Sequence, residues 1–186
     1  NLGVSYYEMG QYEEALEYFL RTLERGAENE PHLHGLVLCN IGRSYQKLGK
    51  TDEARQYLEG SLALSKEVND DLSVSSVLDA VAALTMFLQQ WDEAKEYLQQ
   101  SVTIKAQAGD TRGQSETLVL LGQTCLQQGE LERSATHLQE ALTITEQVGN
   151  KTEQYKAHEH LSEVYKKQGE FEKALESYQT YSRLRE

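Results

Sequence analysis

Apolar residues recur along this 186-residue chain with the spacing of one face of an α-helix. Within residues 52–68 the apolar positions are Ala54, Tyr57, Leu58, Leu62 and Leu64. Similar segments, with turn residues between them, predict ten helices and no strand. The predicted helices cover roughly residues 1–9, 12–28, 31–48, 52–68, 70–88, 92–108, 110–128, 132–148, 150–168 and 172–185.

The helices fall into repeats, because small, turn and large residues return every 39 or 40 positions. The small residues of the first helices are Gly3, Gly42, Ala82, Gly122 and Ser162. The small residues of the second helices are Ala15, Ala54, Ala94, Ser134 and Ala174, and four positions further on come Phe19, Leu58, Leu98, Leu138 and Tyr178. The pattern predicts a single array over 1–186, with repeats at about 1–29 (truncated), 31–69, 70–109, 110–149 and 150–186.

The residues between the helices have turn and capping chemistry. Gly10, Gly49, Gly129 and Gly169 follow the first helices, where glycine accepts a left-handed backbone at little cost. Between repeats stand Asn69-Asp70, Gly109-Asp110 and Gly149-Asn150, in which the first residue can end a helix and the second can cap the next one. Glu30-Pro31 marks another break, since proline fits the first turn of a helix.

These positions resemble the tetratricopeptide repeat. The second repeat matches that family's pattern at Ile41, Gly42, Tyr45, Gly49, Ala54, Leu58 and Ser61, and the fifth at Leu161, Tyr165, Gly169, Phe171, Ala174 and Tyr178. The resemblance implies an all-α fold, a right-handed α-solenoid of antiparallel helix pairs with about ten helices. The period exceeds the usual 34 residues and the terminal proline is absent, which resembles the long-helix subclass of polarity adaptors and bacterial peptide-sensing regulators.

The last repeat has a further likeness. Residues 157–175 and 181–186 resemble the final repeat of the sensor region in bacterial signalling proteins, where a connecting helix leads to an output domain such as a diguanylate cyclase. This resemblance implies that the chain is the sensor portion of a larger signalling protein.

The family binds protein or peptide segments in a concave groove lined by its first helices. The groove positions implied here are Asn40, Arg43, Gln46 and Lys47, then Asp79, Ala83, Met86 and Phe87, then Val119, Gln123, Leu126 and Gln127, and finally Glu159, Glu163 and Lys166. Met86 and Phe87 are expected to anchor a peptide or, alternatively, to pack between helices. Asn40 and Gln123 are expected to bond a peptide backbone, although solvation or a helix bond explains Asn40 equally well. Chaperone-binding repeats of this family clamp two carboxylates with Lys and Asn at set groove positions. Cys39, Arg43, Asp79 and Ala83 stand at those positions here, so the clamp pattern is not present.

Charge and composition narrow the partners. The net charge of -12 argues against nucleic acid and anionic lipid, and it favours either a self-repelling surface or basic partners. Two cysteines, Cys39 near the groove and Cys125 in a packing position, predict a reducing, cytoplasmic location. No apolar run is long enough to span a membrane. No signal peptide is visible, although the chain opens inside a repeat.

Catalytic, metal and cofactor sites are not predicted. His32 and His34, like His158 and His160, lie two residues apart and point in different directions on a helix. Trp91 occupies a packing position. The chain is therefore predicted to be a binding scaffold and not an enzyme. The alternative is a structural spacer or homodimerisation module that pairs through apolar terminal residues: Leu2, Tyr6, Tyr7, Tyr178, Tyr181 and Leu184.

Overall fold

The computed structural model describes residues 2–26 and 30–185, which form ten α-helices and no strand. The helices are α1 (Leu2–Glu8), α2 (Tyr12–Glu24), α3 (Pro31–Lys47), α4 (Thr51–Glu67), α5 (Asp71–Phe87), α6 (Trp91–Ala108), α7 (Thr111–Gln128), α8 (Leu131–Val148), α9 (Lys151–Gln168) and α10 (Phe171–Arg185). The all-α fold and the helix positions agree with the sequence analysis. No helix of the described residues is both long and apolar enough to cross a membrane.

The chain divides into two compact units, unit 1 (Asn1–Leu88) and unit 2 (Gln89–Glu186). In unit 1, helices α1 to α5 each pack on the next, and α3 also contacts α5 directly. In unit 2, helices α6 to α10 follow the same order, and α7 also contacts α9. Within each unit the first helices of neighbouring repeats therefore share one layer, and the second helices pack behind them.

The turns within repeats have the predicted left-handed residue. Gly10, Gly49, Gly129 and Gly169 have φ between 74° and 84°. Gln89 takes the equivalent place with φ 59°, although its side chain makes that conformation less favourable. The predicted left-handed turns are confirmed at the four glycines.

The breaks between repeats are capped as predicted. Asp70 accepts a hydrogen bond from the backbone N–H of Ser73 at 3.0 Å, and Asp110 accepts one from that of Gly113 at 2.9 Å. Asn150 caps α9 in the same way. The bonds from Ser73 lower the pKa of Asp70, because they stabilise its ionised form.

The end of α2 differs from the prediction. The predicted helix extends to residue 28, but α2 ends at Glu24 and Gly26 has a left-handed φ of 100°. A glycine in that conformation stops a helix at low cost. Residues 27 and 28 lie outside the described part of the chain.

Paired helices approach closely at the small residues of the first helices. A Cβ added to Gly42 would lie 2.7 Å from Cγ of Leu58 and 3.2 Å from the backbone oxygen of Ala54. One added to Gly122 would lie 2.6 Å from Cγ of Leu138. These distances are below ordinary van der Waals contact, so the helix spacing in the second and fourth repeats depends on glycine.

Buried hydroxyl groups are common between the helices. Ser61 Oγ donates to the backbone oxygen of Gly35 at 2.7 Å, and Ser134 Oγ donates to that of Gly122 at 2.7 Å. Other buried hydroxyls bond within their own helix; examples are Thr85 to Ala82, Thr124 to Leu120 and Thr145 to Leu142. The hydrogen bonds offset the cost of burying these groups.

Apolar clusters fill the remaining space in each unit. In unit 1 the cluster includes Ala15, Phe19, Val37 and Ile41. In unit 2 it includes Leu118, Leu126, Leu138, Leu161 and Val164. Cys125 is buried, as its packing position predicted, and Trp91 is half-buried at the start of α6.

Replacing Gly42 by alanine is expected to lower the free energy of unfolding by about 1–3 kcal/mol, because the added methyl overpacks against Leu58. Gly60 provides the control, since its added Cβ would lie 3.7 Å from Cδ1 of Leu38, an ordinary contact. Gly60→Ala is expected to stabilise by about 0.5–1 kcal/mol through helix propensity. Urea denaturation followed by circular dichroism measures both changes, and equal effects of the two substitutions would contradict the close-approach argument.

Candidate functional site

The direct contacts of α3 with α5 and of α7 with α9 create one first-helix face in each unit. We call them the α3–α5 face and the α7–α9 face. The sequence-based groove residues that the family resemblance implied divide between these two faces.

The α3–α5 face carries the basic and apolar residues of the prediction. Asn40 and Arg43 are partly exposed and Lys47 is exposed on α3. Arg43 Nη2 donates to the backbone oxygen of Ser76 on α5 at 3.4 Å, so its guanidinium group bridges the two helices.

Helix α5 contributes the apolar part of this face. Met86, Ala83 and Asp79 are partly exposed. Phe87 is 61% exposed at the end of α5. Phe87 therefore does not pack between helices in unit 1, and its ring is available for an anchor contact.

Cys39 lies close to the charges of this face, but its thiol is buried. Burial raises the pKa of Cys39, Arg43 lowers it, and Asp79 raises it further. A nucleophilic cysteine needs a lowered pKa and access to solvent. The environment of Cys39 therefore suits packing better than chemistry.

The α7–α9 face contains a cleft of about 310 Å³. Its α7 wall consists of Glu116, Val119, Leu120 and Gln123, and its α9 wall consists of Glu153, Lys156 and His160. Gln123, a predicted backbone-binding residue, thus lies in a cleft with a cationic and a histidine side chain opposite it. Such a lining offers a donor, an acceptor and a cation to an extended peptide.

The α9 wall contains an ion pair between a buried carboxylate and a half-exposed lysine. Glu153 is almost fully buried, and Lys156 Nζ donates to its Oε1 at 2.6 Å. His160 lies one turn beyond Lys156. Burial lowers the pKa of His160, while the nearby carboxylates of Glu159 and Glu163 act in the opposite direction. The imidazole is therefore favoured in its neutral form, in which it can donate and accept.

Two predicted contact residues belong to the core. Val119 is 2% exposed and Leu126 is 1% exposed, and both pack in the apolar cluster of unit 2. The expectation that their side chains face a ligand is corrected, because burial between helices leaves almost no surface for a contact. Glu159 and Glu163 are exposed but stand outside the cleft lining, and Glu163 pairs with Lys167 at 3.3 Å.

Glu153, Lys156 and His160 were not among the predicted groove residues. Lys156 and His160 are the repeat equivalents of Glu116 and Leu120, 40 residues earlier, which line the same cleft from α7. The family pattern pointed instead to Glu159 and Glu163, the equivalents of Val119 and Gln123. The family's groove positions therefore lie about one helical turn away from the positions that line this cleft on α9.

The histidine pairs have separate surroundings. His32 Nδ1 lies 3.2 Å from Oδ2 of Asp70, while His158 and His160 have different neighbours along α9. Among residues 2–26 and 30–185 no group of three or more His, Cys, Asp or Glu residues is arranged to hold a metal ion.

The stacked helix pairs, the left-handed turns and the small-residue contacts define a helical repeat protein. The sequence pattern of the tetratricopeptide repeat matches residues 1–67, 35–107, 73–147 and 115–186. The chain belongs to the tetratricopeptide repeat family. No curated protein sequence matches it.

Solved structures support the same fold at low sequence identity. BtubC (BKLC) from P. vanneervenii has a TM-score of 0.86 at 19% identity, over 99% of this chain and 77% of that chain. Aspartyl phosphate phosphatase F from Bacillus subtilis has a TM-score of 0.84 at 15% identity, over 98% and 48%. A signal transduction ATPase with numerous domains, PH0952 from Pyrococcus horikoshii, which has a tetratricopeptide repeat sensor, has a TM-score of 0.89 at 18% identity, over 98% and 28%.

The lowered pKa of His160 predicts a pH-dependent stability. As the pH falls below the ordinary histidine pKa of about 6.5, the unfolded chain takes up a proton at His160 more readily than the folded chain. The free energy of unfolding is therefore fully retained above that pH and decreases as the pH falls through the lowered pKa. His160→Gln is expected to reduce the loss of unfolding free energy between pH 7.5 and 5.5, measured by urea denaturation at both pH values. His137→Gln and His158→Gln should each reduce it too, because burial lowers the pKa of both residues. An unchanged pH dependence in all three variants would contradict the prediction.

Proposed function

We propose that this chain is a scaffold that binds a protein or peptide segment along its first-helix faces. The observation that supports this most strongly is the α7–α9 cleft, where Gln123, Lys156 and His160 present hydrogen-bonding groups beside apolar Leu120. An extended backbone has unpaired donors and acceptors that such a lining can satisfy.

The α3–α5 face is proposed to supply the anchor contacts. Phe87 and Met86 offer apolar surface, while Arg43 and Lys47 offer positive charge on the neighbouring helix. An aromatic or aliphatic side chain of the partner would bury against Phe87, and buried apolar contacts dominate most interface energies. Asn40 and Asp79 complete the proposed contacts of unit 1, and Glu159 and Glu163 add acidic contacts in unit 2.

We further propose that the repeats sense a ligand on behalf of a longer signalling protein in a reducing, cytoplasmic compartment. Two free cysteines, both buried, suit such a compartment. The fold likeness to a signal transduction ATPase with a tetratricopeptide repeat sensor supports this role. The chain spans only 28% of that protein, so the likeness extends to that part alone.

A second candidate function is self-association through α10. Phe171, Leu175 and Tyr178 lie at i, i+4 and i+7, on one side of that helix, and all three are exposed. Tyr178 is 56% exposed, whereas Leu138, at the equivalent position of the preceding repeat, is fully buried. An exposed apolar strip of this kind can bind a second copy.

Among the other terminal residues expected to pair between copies, Leu2 is 60% exposed, whereas the remaining ones are less available. Tyr6 stacks on Tyr18 and Tyr7 meets the edge of Tyr12, so both rings have partners within unit 1. Tyr181 contacts Tyr155 and Tyr178, and Leu184 is partly buried. Light scattering on the wild-type chain and on Tyr178→Glu tests the self-association candidate.

Peptide binding is tested by selecting peptides from a random display library on the wild-type chain and measuring their affinity for a cleft-filling variant. Gln123→Trp is expected to weaken binding by at least about tenfold, because the indole occupies the space of the peptide. Gln147→Trp is the matched control, since Gln147 is exposed on α8, outside the cleft. Equal binding by both variants would exclude the α7–α9 cleft as the site.

A further inference from the structure

Unit 2 has a second cavity, on the side opposite the first-helix layer. It is open, has a volume of about 750 Å³, and lies between α6 and α8. Leu121 and Cys125 of α7, both almost fully buried, close its base, and Gln99, Arg133 and His137 stand among its walls. We call it the α6–α8 cavity. Neither the family resemblance nor the proposed peptide binding uses this surface.

The next repeat shows what fills the corresponding place. Tyr165 is the residue of the fifth repeat that is equivalent to Cys125. The hydroxyl of Tyr165 accepts a hydrogen bond from Nε2 of Gln139 on α8 at 2.8 Å. Lys173 of α10 lies over the same ring, with its Nζ 5.5 Å from the ring centroid. A tyrosine is thus held at its hydroxyl by an amide and on its face by a cation.

The α6–α8 cavity has the same holding groups without the ring. Gln99 is equivalent to Gln139 and lines the cavity from α6, and Arg133 is equivalent to Lys173 and lines it from α8. Even the acidic neighbour recurs, since Arg133 pairs with Glu130 at 3.2 Å and Lys173 pairs with Glu170. At the position of the ring stands the much smaller Cys125.

Unit 1 shows aromatic rings at the same repeat positions. Tyr45, which is equivalent to Cys125, stacks on Tyr57, which is equivalent to His137, with ring centroids 5.4 Å apart. Tyr6 and Tyr18 repeat this pair, also at 5.4 Å. In the fourth repeat both tyrosines are replaced, by a cysteine and a histidine. Nδ1 of His137 is buried and has no hydrogen-bond partner among the described residues.

We propose that the α6–α8 cavity binds a tyrosine side chain of a partner protein. The ring enters the cavity between Gln99 and Arg133, above the almost fully buried Leu121 and Cys125; Gln99 donates to its hydroxyl, and Arg133 covers its face. Tyrosine is the side chain whose place in the neighbouring repeat these groups already define.

The charges at the rim of the cavity favour particular residues next to that tyrosine in the partner. Lys95 is held between Asp92 at 3.1 Å and Glu130 at 2.8 Å, so its charge is already balanced within the rim. Glu96 and Glu132 add further negative charge to the lining. The partner segment therefore has basic residues next to its tyrosine, which also suits the net charge of -12.

The test uses p-cresol, the side chain of tyrosine as a free molecule, and NMR of the wild-type chain. We expect saturable shifts confined to signals of Gln99, Cys125 and His137. Cys125→Tyr places the phenol within the chain itself, so the variant should fold and lose these shifts. Shifts without saturation, or unchanged p-cresol binding by a folded Cys125→Tyr chain, would overturn the proposal. Failure of this variant to fold would also count against it, because the space would then not accept a phenol.

Two glutamine variants test the hydroxyl contact separately. Wild-type chain is expected to bind p-cresol several-fold more tightly than toluene, which has no hydroxyl, and Gln99→Leu should abolish that preference. Gln139→Leu is the matched control, because its amide already serves Tyr165. A preference that survives Gln99→Leu, or that disappears equally in Gln139→Leu, would sink the assignment.

Discussion

The close approach of the two helices in each repeat is the constraint on which the remaining packing depends. A Cβ added to Gly42 or Gly122 would lie only 2.7 or 2.6 Å from Cγ of the facing leucine, Leu58 or Leu138. Ser134 then reaches across to the backbone oxygen of Gly122, a contact that is possible only at this short separation. The large residue four positions after the small one in the second helix fills the space at the glycine, so small and large positions are coupled.

This coupling explains why the fold could be predicted so closely from the chain. The small and large positions recur at a nearly constant period, and turn glycines and capping Asp or Asn residues mark the helix ends. Nine of the predicted helices end within two residues of the observed positions. The end of α2 could not be predicted in the same way, because Gly26 has no counterpart among the repeat positions.

The candidate site was less predictable for a physical reason. The family's groove positions gave Val119 and Gln123 on α7 and, 40 residues later, Glu159 and Glu163 on α9. The α9 residues that line the cleft include Lys156 and His160, which are the equivalents of Glu116 and Leu120. Which side of α9 faces α7 depends on how these two helices pack, and the family pattern does not report that packing. Val119 and Leu126 were wrongly predicted to be exposed, because a groove position of the family does not determine how far a particular side chain is buried.

The buried hydroxyls between the helices have a thermodynamic consequence. Exposure of apolar surface raises the heat capacity on unfolding, and exposure of polar surface lowers it. A core in which Ser61, Thr85, Thr124 and Ser134 stand beside leucine and alanine therefore gives a smaller heat-capacity change per residue than an all-aliphatic core. The curve of stability against temperature is correspondingly flatter. This effect shifts cold denaturation of the repeats to a lower temperature than a purely aliphatic core of equal stability would show.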